Sequence, residues 1–388
     1  MLLIKNGKLM PMNGEILEGA SILVVDGKIK EIGSDISIPE GAKIIDAEGK
    51  IVMPGFIDAH THLGLKEDSI QFEGMDHNEM TDPITPQMRG IDAINPMDVT
   101  FREAYEAGVT SVAAGPGSAN VIGGQFAAIK TYGKRVDDMV IKEPIAMKCA
   151  FGENPKRVYN QKGKAPTTRM AIASLLRETL FKAQEYRKKL EASKDDPTKA
   201  PAFDMKMEAM QPVINREIPL KVHAHRADDI LTAIRIAEEF DIKITLDHCT
   251  EGHFIKEFIK DRGLNAIVGP SFNHRSKFEL KHKSFITPGI LNKEGIKISI
   301  TTDSPVVPLQ YLTVCAALAV KEGLDKIEAL KAITINAAEI LGIDDRVGSL
   351  EVGKDADIVI WDDEPLNIFS SVIYTIIDGK IIYSSEDK

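Results

Sequence analysis

The chain has 388 residues, 43% hydrophobic and 27% charged, enough to bury the core of one large domain with a small companion. Its net charge of -10 comes without a basic block or interleaved basic and aromatic residues, which makes nucleic acid and anionic membrane poor partners. No cationic-then-apolar leader and no apolar run of spanning length is present, so the expected location is the cytoplasm, where Cys149, Cys249 and Cys315 read as reduced core thiols.

In chain order, Leu2 to Ile4, Ser21 to Val25 and Lys28 to Ile32 are short strand patterns, and Asp26-Gly27 suits a tight hairpin turn. The same texture returns at the other end, with Asp357 to Trp361, Val372 to Ile377 and Lys380 to Tyr383, the last two joined by Asp378-Gly379. Either fragment alone would expose an apolar face, so the two are expected to form one small β-sandwich over 1–52 plus 347–388.

Between them lies an alternating strand and helix pattern, expected to form the main domain over 53–346. The apolar run 53–62 ends in His60-Thr61-His62; residues two apart on a strand point the same way, so both imidazoles can grip one cation. The polar, proline-punctuated stretch Gly64 to Asp98 reads as an active-site loop. A glycine-rich loop over 115–125 lacks the phosphate-binding lysine pattern, leaving Asn120 and Gln125 either to orient substrate or simply to form a tight turn. The segment 168–214 reads as a charged helical hairpin inserted in the main domain. Asp228 or Asp229 is expected to cap the next helix, and Asn336 to Gly342 to form a short capped helix with a glycine stop.

Three further β-branched runs each close on a metal-ligating residue type: Ile218 to His223, Ile242 to His248, and Ile296 to Asp303. In a closed parallel barrel the strand C-termini share one face, where residues distant in sequence converge. His60, His62, His223, His248 and Asp303 therefore predict a site for a divalent metal, zinc first among the candidates. Such an ion lowers the pKa of its water from about 15.7 toward about 7 and polarises a carbonyl, and Asp303 is placed to take the water proton and pass it on.

The motifs 49–62 and 348–359, with Thr334 to Ala338 between them, resemble the amidohydrolase superfamily, closest to its imidazolonepropionase-related and prolidase-like branch. The resemblance covers essentially the whole chain. It implies an α/β fold, a distorted TIM (β/α)8 barrel with the split sandwich, and hydrolysis of a carbon–nitrogen bond. It puts His60 and His62 on the first barrel strand, His223 on the fifth, His248 on the sixth and Asp303 on the eighth. Lys148 stands where binuclear relatives carry a carboxylated lysine bridging two ions, whereas imidazolonepropionases work with one; one or two ions per chain are both open. His248 and Asp303 are the expected catalytic pair. His223 is favoured as ligand over His225, which is assigned to substrate, with swapped roles open. Arg226 stands where the superfamily's deaminases typically have a glutamate, which favours an amide, dipeptide or cyclic imide as the small-molecule substrate.

Cations following strand ends suit a carboxylate-bearing substrate: Arg226, Lys156 and Arg157 with Tyr159, and His274 after the seventh strand. His77, His253 and His282 have no supporting constellation. A non-catalytic scaffold is the competing class, opposed by the intact ligand set. The apolar barrel helices are compatible with a homo-oligomer but mark no interface.

Overall fold

The computed structural model describes residues 1–387 and contains two eight-stranded sheets. The outer sheet takes β1 (Leu2–Leu9), β2 (Leu17–Val25), β3 (Lys28–Gly33), β4 (Lys43–Asp46) and β5 (Ile51–Pro54) from the N-terminal end. The barrel sheet follows with β6 (Phe56–Thr61), β7 (Val109–Ala114), β8 (Ile122–Lys130), β9 (Val140–Ala150), β10 (Leu220–Ala224), β11 (Ile244–His248), β12 (Ala266–Val268) and β13 (Ile298–Ile300). The C-terminal end returns β14 (Ile358–Trp361), β15 (Val372–Ile377) and β16 (Lys380–Ser384) to the outer sheet, where β14 pairs antiparallel with β5.

The outer sheet is hydrogen-bonded in the order β16-β15-β14-β5-β1-β2-β3, with β4 beside β1, and wraps a core of its own that includes Ile4, Ile22, Ile29, Ile358 and Ile376. Both Asp-Gly hairpins form as expected: Asp26 and Gly27 have φ of 49° and 78°, Asp378 and Gly379 of 49° and 72°. The two turns meet. Ala356 N–H donates to Gly27 O at 2.8 Å and accepts at its own carbonyl from Gly379 N–H at 3.0 Å, so residues near opposite ends of the chain share one corner.

The barrel departs from an all-parallel design at β8, which runs antiparallel to both β7 and β9. Only residues 115–121 separate β7 from β8, too few for the helical crossover that a parallel pair requires. β8 therefore starts at the mouth where its neighbours end. The β13 to β6 seam is closed by side chains and loop backbone. Thr301 Oγ1 donates to His60 O at 2.7 Å, His62 N–H donates to Ser304 O at 2.8 Å, and buried Asp58 accepts from the Thr302 hydroxyl and N–H at 2.6 and 2.8 Å. That seam holds His60 and His62 against Asp303.

The expected helical hairpin is present as Arg169–Asp195 and Met205–Ile214, the first capped by Thr168. Its Ile172, Leu176, Leu180, Met210 and Val213 join the barrel's apolar core, which explains a long charged segment with one dry stripe. Two capping expectations fail. The helix Ala227–Phe240 uses neither Asp228 nor Asp229 as cap; both lie in its first turn, and Glu251 Oε2 from the next strand loop accepts Ala227 N–H at 2.9 Å. Asn336 sits inside the helix Ile335–Leu341 and donates to Ile298 O at 3.2 Å, although Gly342 does end it, with φ 65°. Among the described residues no helix is long and apolar enough to cross a membrane.

Candidate metal centre

His60 and His62 project from the end of β6 into the barrel mouth, their ring centroids 5.4 Å apart. Each ring is oriented through Nδ1: His60 against Asp247 Oδ2 at 2.8 Å, His62 against Gly115 O at 2.8 Å. His248 does the same against Gly269 O at 2.7 Å. For His62 and His248 the carbonyl acceptors favour the ring proton on Nδ1 and leave Nε2 facing the mouth. Burial favours the neutral form of four of the mouth's imidazoles: it lowers His62 below the ordinary histidine range and His248 to about 3, and drives His223 and His225 well down.

Asp247 and His248 are consecutive, so a regular strand would send them to opposite faces. His248 instead takes φ 69°, in the left-handed region, and Asp303 takes φ 54°. Such conformations are unfavourable for non-glycine residues and persist where the surroundings hold them. Here they turn both side chains toward the mouth.

Two groups result. The potential ligand atoms of His60, His62 and Asp303 lie within 4.8 Å of one another, as do those of His223, His225 and His248. Asp303 Oδ1 is 3.4 Å from His60 Nε2 and 3.3 Å from His62 Nε2. Three potential ligand atoms thus converge beside Lys148 Nζ, which is 3.2 Å from His60 Nε2, and such a donor set fits a metal. His248 Nε2 is buried without a hydrogen-bond partner.

Lys148 lies on β9, the fourth barrel strand, in register with Lys221 of β10. Its side chain is fully buried, with Nζ 3.2 Å from His60 Nε2 and 3.8 Å from Asp247 Oδ2. Burial pulls its pKa down to about 8 against the opposing pull of Asp247. Asp247 also receives Lys221 Nζ at 3.2 Å, so one carboxylate is shared by two buried lysines and by the His60 ring.

These residues open onto a cavity of about 440 Å³ lined by His62, His223, His225 and Asp303 with Lys66, Arg157 and Lys277 on its walls. A larger cavity of about 670 Å³ lies at the opposite end of the barrel, under strand starts such as Ile218 and Ile244. Arg262 and Arg216 on its wall pair with Glu238 and Asp241, and both groups of potential metal ligands lie at the other end, so the smaller cavity carries the chemistry.

Of the expected substrate residues, His225 and Arg157 line the mouth cavity. Tyr159 does not reach it: the side chain is fully buried and its hydroxyl donates to Asn120 Oδ1 at 2.6 Å. Asn120 spends its amide on Glu79 O at 2.6 Å and Thr85 Oγ1 at 2.8 Å, so the pair pins the 79–85 loop. Arg226 turns away to a two-pronged contact with Asp228 at 2.7 and 2.8 Å. Lys156 and His274 are not on the cavity wall. His77, with no assigned role from sequence, lines the cavity with its ring 5.6 Å from that of His62.

Asp247 and Lys221 were within reach of sequence reasoning, as charged residues embedded in apolar strands. Lys277, Glu279 and Asn154 carry no such signal, because none ends a strand: Lys277 precedes the short 3-10 turn that holds Glu279, and Asn154 lies in the first turn of the helix Glu153–Gln161. Cys149 and Cys249 are pushed up to about 12 by burial, which removes thiolate chemistry beside the site.

A barrel mouth of converging neutral imidazoles and a carboxylate is that of a metal-assisted hydrolase. The sequence matches the Amidohydrolase family over residues 51–382, and the chain belongs to that family, whose enzymes act on carbon–nitrogen bonds. It is 28% identical over 385 residues to the amidohydrolase tasK of Hapsidospora irregularis, covering 92% of this chain but only 39% of that protein's length. An imidazolonepropionase of Porphyromonas gingivalis is 25% identical, with 95% of this chain and 91% of the relative covered. The crystal structure of an amidohydrolase from Thermotoga maritima superposes with a TM-score of 0.96 at 41% identity, covering 99% of this chain and 100% of the other.

Proposed function

We propose that this amidohydrolase cleaves a small, carboxylate-bearing amide, dipeptide or cyclic imide with water activated at a divalent-metal centre. The observation that carries the reading is the convergence of His60 Nε2 and His62 Nε2 on Asp303 Oδ1, at 3.4 and 3.3 Å, at the mouth of the barrel. His60, His62 and Asp303 form one side of the centre; His223 and His248 form the other, with His225 beside them. When bound, the metal, zinc first, would lower the pKa of water and polarise the scissile carbonyl.

Asp303 accepts the proton of the attacking water and delivers it to the leaving nitrogen, a role open to a strand-end carboxylate that faces the cavity. Its neighbours His60 and His62 fix it, and Asp247 fixes His60. Lys66 and Arg157 suit the substrate's carboxylate, since neither has a hydrogen-bond or ion-pair partner for its side chain among the described residues. The cavity of about 440 Å³ suits a small molecule. Deamination is the weaker chemistry, because Arg226, where a catalytic glutamate is expected, is bound to Asp228.

Lys148 sits beside the His60 group, with an amine that burial disposes to lose its proton. In the two-metal form its nitrogen adds to the carbon of carbon dioxide and releases a proton, giving a carbamate whose two oxygens can each serve one metal. A one-metal centre of the imidazolonepropionase kind is the second reading. It is favoured by the contacts of Lys148 to His60 and Asp247, which satisfy an unmodified amine.

The test couples elemental analysis of protein purified without added metal to a hydrolysis screen of dipeptides, N-acyl amino acids and cyclic imides. Bound zinc, iron, manganese, nickel or cobalt with turnover of one class supports the reading. Sub-stoichiometric metal with no recovery on addition, and no turnover, returns the chain to a non-catalytic scaffold.

A further inference from the structure

Lys277 follows β12 in the loop that folds over the mouth, and its ammonium does not swing free. It donates to Glu279 Oε1 at 2.8 Å and Asn154 Oδ1 at 3.0 Å, and lies 3.5 Å from His225 Nε2. Those holders are themselves held. Glu279 is 1% exposed and its second oxygen accepts Glu153 N–H at 2.9 Å; Asn154 donates to Ser118 Oγ at 2.7 Å. The lysine is thus fixed by the loops after β7, β9 and β12, whereas Lys66 and Arg157 on the same wall are unpaired.

An ammonium has three N–H groups. Glu279 and Asn154 take two, and the third has only the long contact to His225 Nε2, a nitrogen with reason to turn toward a cation. A third donor pre-set at the edge of the histidine group, its aim paid for by a buried carboxylate, has the form of a preorganised oxyanion contact.

We propose that Lys277 is a catalytic residue that donates this third N–H to the anionic oxygen of the substrate beside the metal centre, with Glu279 and Asn154 as positioning residues. As water adds to the scissile carbon, the carbonyl π electrons move onto oxygen. The N–H···O contact gains charge assistance, no proton leaves Lys277, and nothing is oxidised or reduced. The chemical meaning rests on the hydrolase reading above, but the test does not.

The zinc-loaded full chain is titrated calorimetrically with inorganic phosphate, a tetrahedral oxyanion, and separately with acetate, a planar carboxylate. Lys277→Met should weaken phosphate binding by about 10- to 100-fold, the range for one charge-assisted hydrogen bond, with zinc content unchanged. Lys5→Met, on the outer sheet and paired there with Asp46, should change it by less than about threefold. Because Lys277→Met leaves buried Glu279 without its counter-cation, the double variant Lys277→Met/Glu279→Gln is run beside it and should show the same loss. Acetate binding that is spared supports the oxyanion role; an equal loss for acetate makes Lys277 a general carboxylate contact and overturns it. Phosphate affinity unchanged in both variants, absent in the wild-type zinc protein, or lost together with zinc overturns it. If phosphate binding falls as expected but no panel substrate is hydrolysed, the donor assignment stands and the proposed function fails.

Discussion

Two buried lysines, Lys130 and Lys148, sit on adjacent barrel strands in opposite electrostatic settings. Lys130 faces Asp357 at 2.6 Å, Asp355 at 3.0 Å and Asp378 at 3.4 Å, and ties the barrel to the outer sheet. Burial opposes its charge, yet the three carboxylates win and hold its pKa above the ordinary lysine value. Lys148 has a part share in one carboxylate, Asp247, which Lys221 also claims, and burial wins instead. Burial therefore does not define a lysine's role; the number of anions around it does. Surplus anions make a structural rivet, and a deficit leaves an amine available for chemistry.

The largest effect expected is on catalysis at the mouth. His248→Ala or Asp303→Asn should lower turnover of any panel substrate by about 10³-fold or more while the melting temperature stays close to wild type, because the ligands lie outside the apolar core. Unfolding of both variants would instead make the mouth a structural centre like that of Lys130.

Lys130→Met should leave bound metal unchanged but cost about 3–5 kcal/mol in denaturant titration, since three carboxylates lose a buried partner. Lys148→Ala should do the reverse. It should lose about one metal per chain if the carbamate bridge forms, with short carboxylic acids partly restoring activity, whereas equal counts near one in wild type and mutant favour the one-metal reading.

Titration sharpens the contrast in metal-free protein. For Lys148 the folded pKa, about 8, lies below the unfolded value of about 10.4, so the unfolded chain binds more protons between them and stability should rise with pH across that window. Lys130 has the opposite sign. Its folded value is raised, so its contribution is complete below about 10.4 and is lost only as pH climbs through the folded pKa. Lys148→Met should flatten the rise above pH 8; a slope identical to wild type would contradict the assignment.

The smallest effect belongs to Arg226. With its guanidinium spent on Asp228 at a half-exposed position, Arg226→Ala should change stability by less than about 0.5 kcal/mol and kcat/KM by less than about twofold. A large rise in KM would restore it to the substrate site.

The pattern of success and failure along the sequence has a physical basis. His60, His62, His223, His248 and Asp303 were legible because each ends a β-branched run, and strand ends of a barrel must share a face. Tyr159 and Asn120 were misjudged because sequence gives a polar group's type but not where its hydrogen bonds are spent; here each satisfies the other. Asp228 and Asp229 were misread as caps because a distant carboxylate, Glu251, took the helix N-terminus first.

What the sequence determined by itself is the repeat of buried strands and helices, both Asp-Gly hairpins, and the His and Asp residues that gather at one barrel end as potential ligands. Period, turn chemistry and ligand type are local properties that residues carry with them. Tertiary structure alone decided that β8 runs backwards, that His248 and Asp303 twist into left-handed backbone to face the mouth, and that Lys277 is clamped by Glu279 and Asn154. Each depends on which loops meet over the mouth, and that is set by closure of the whole barrel.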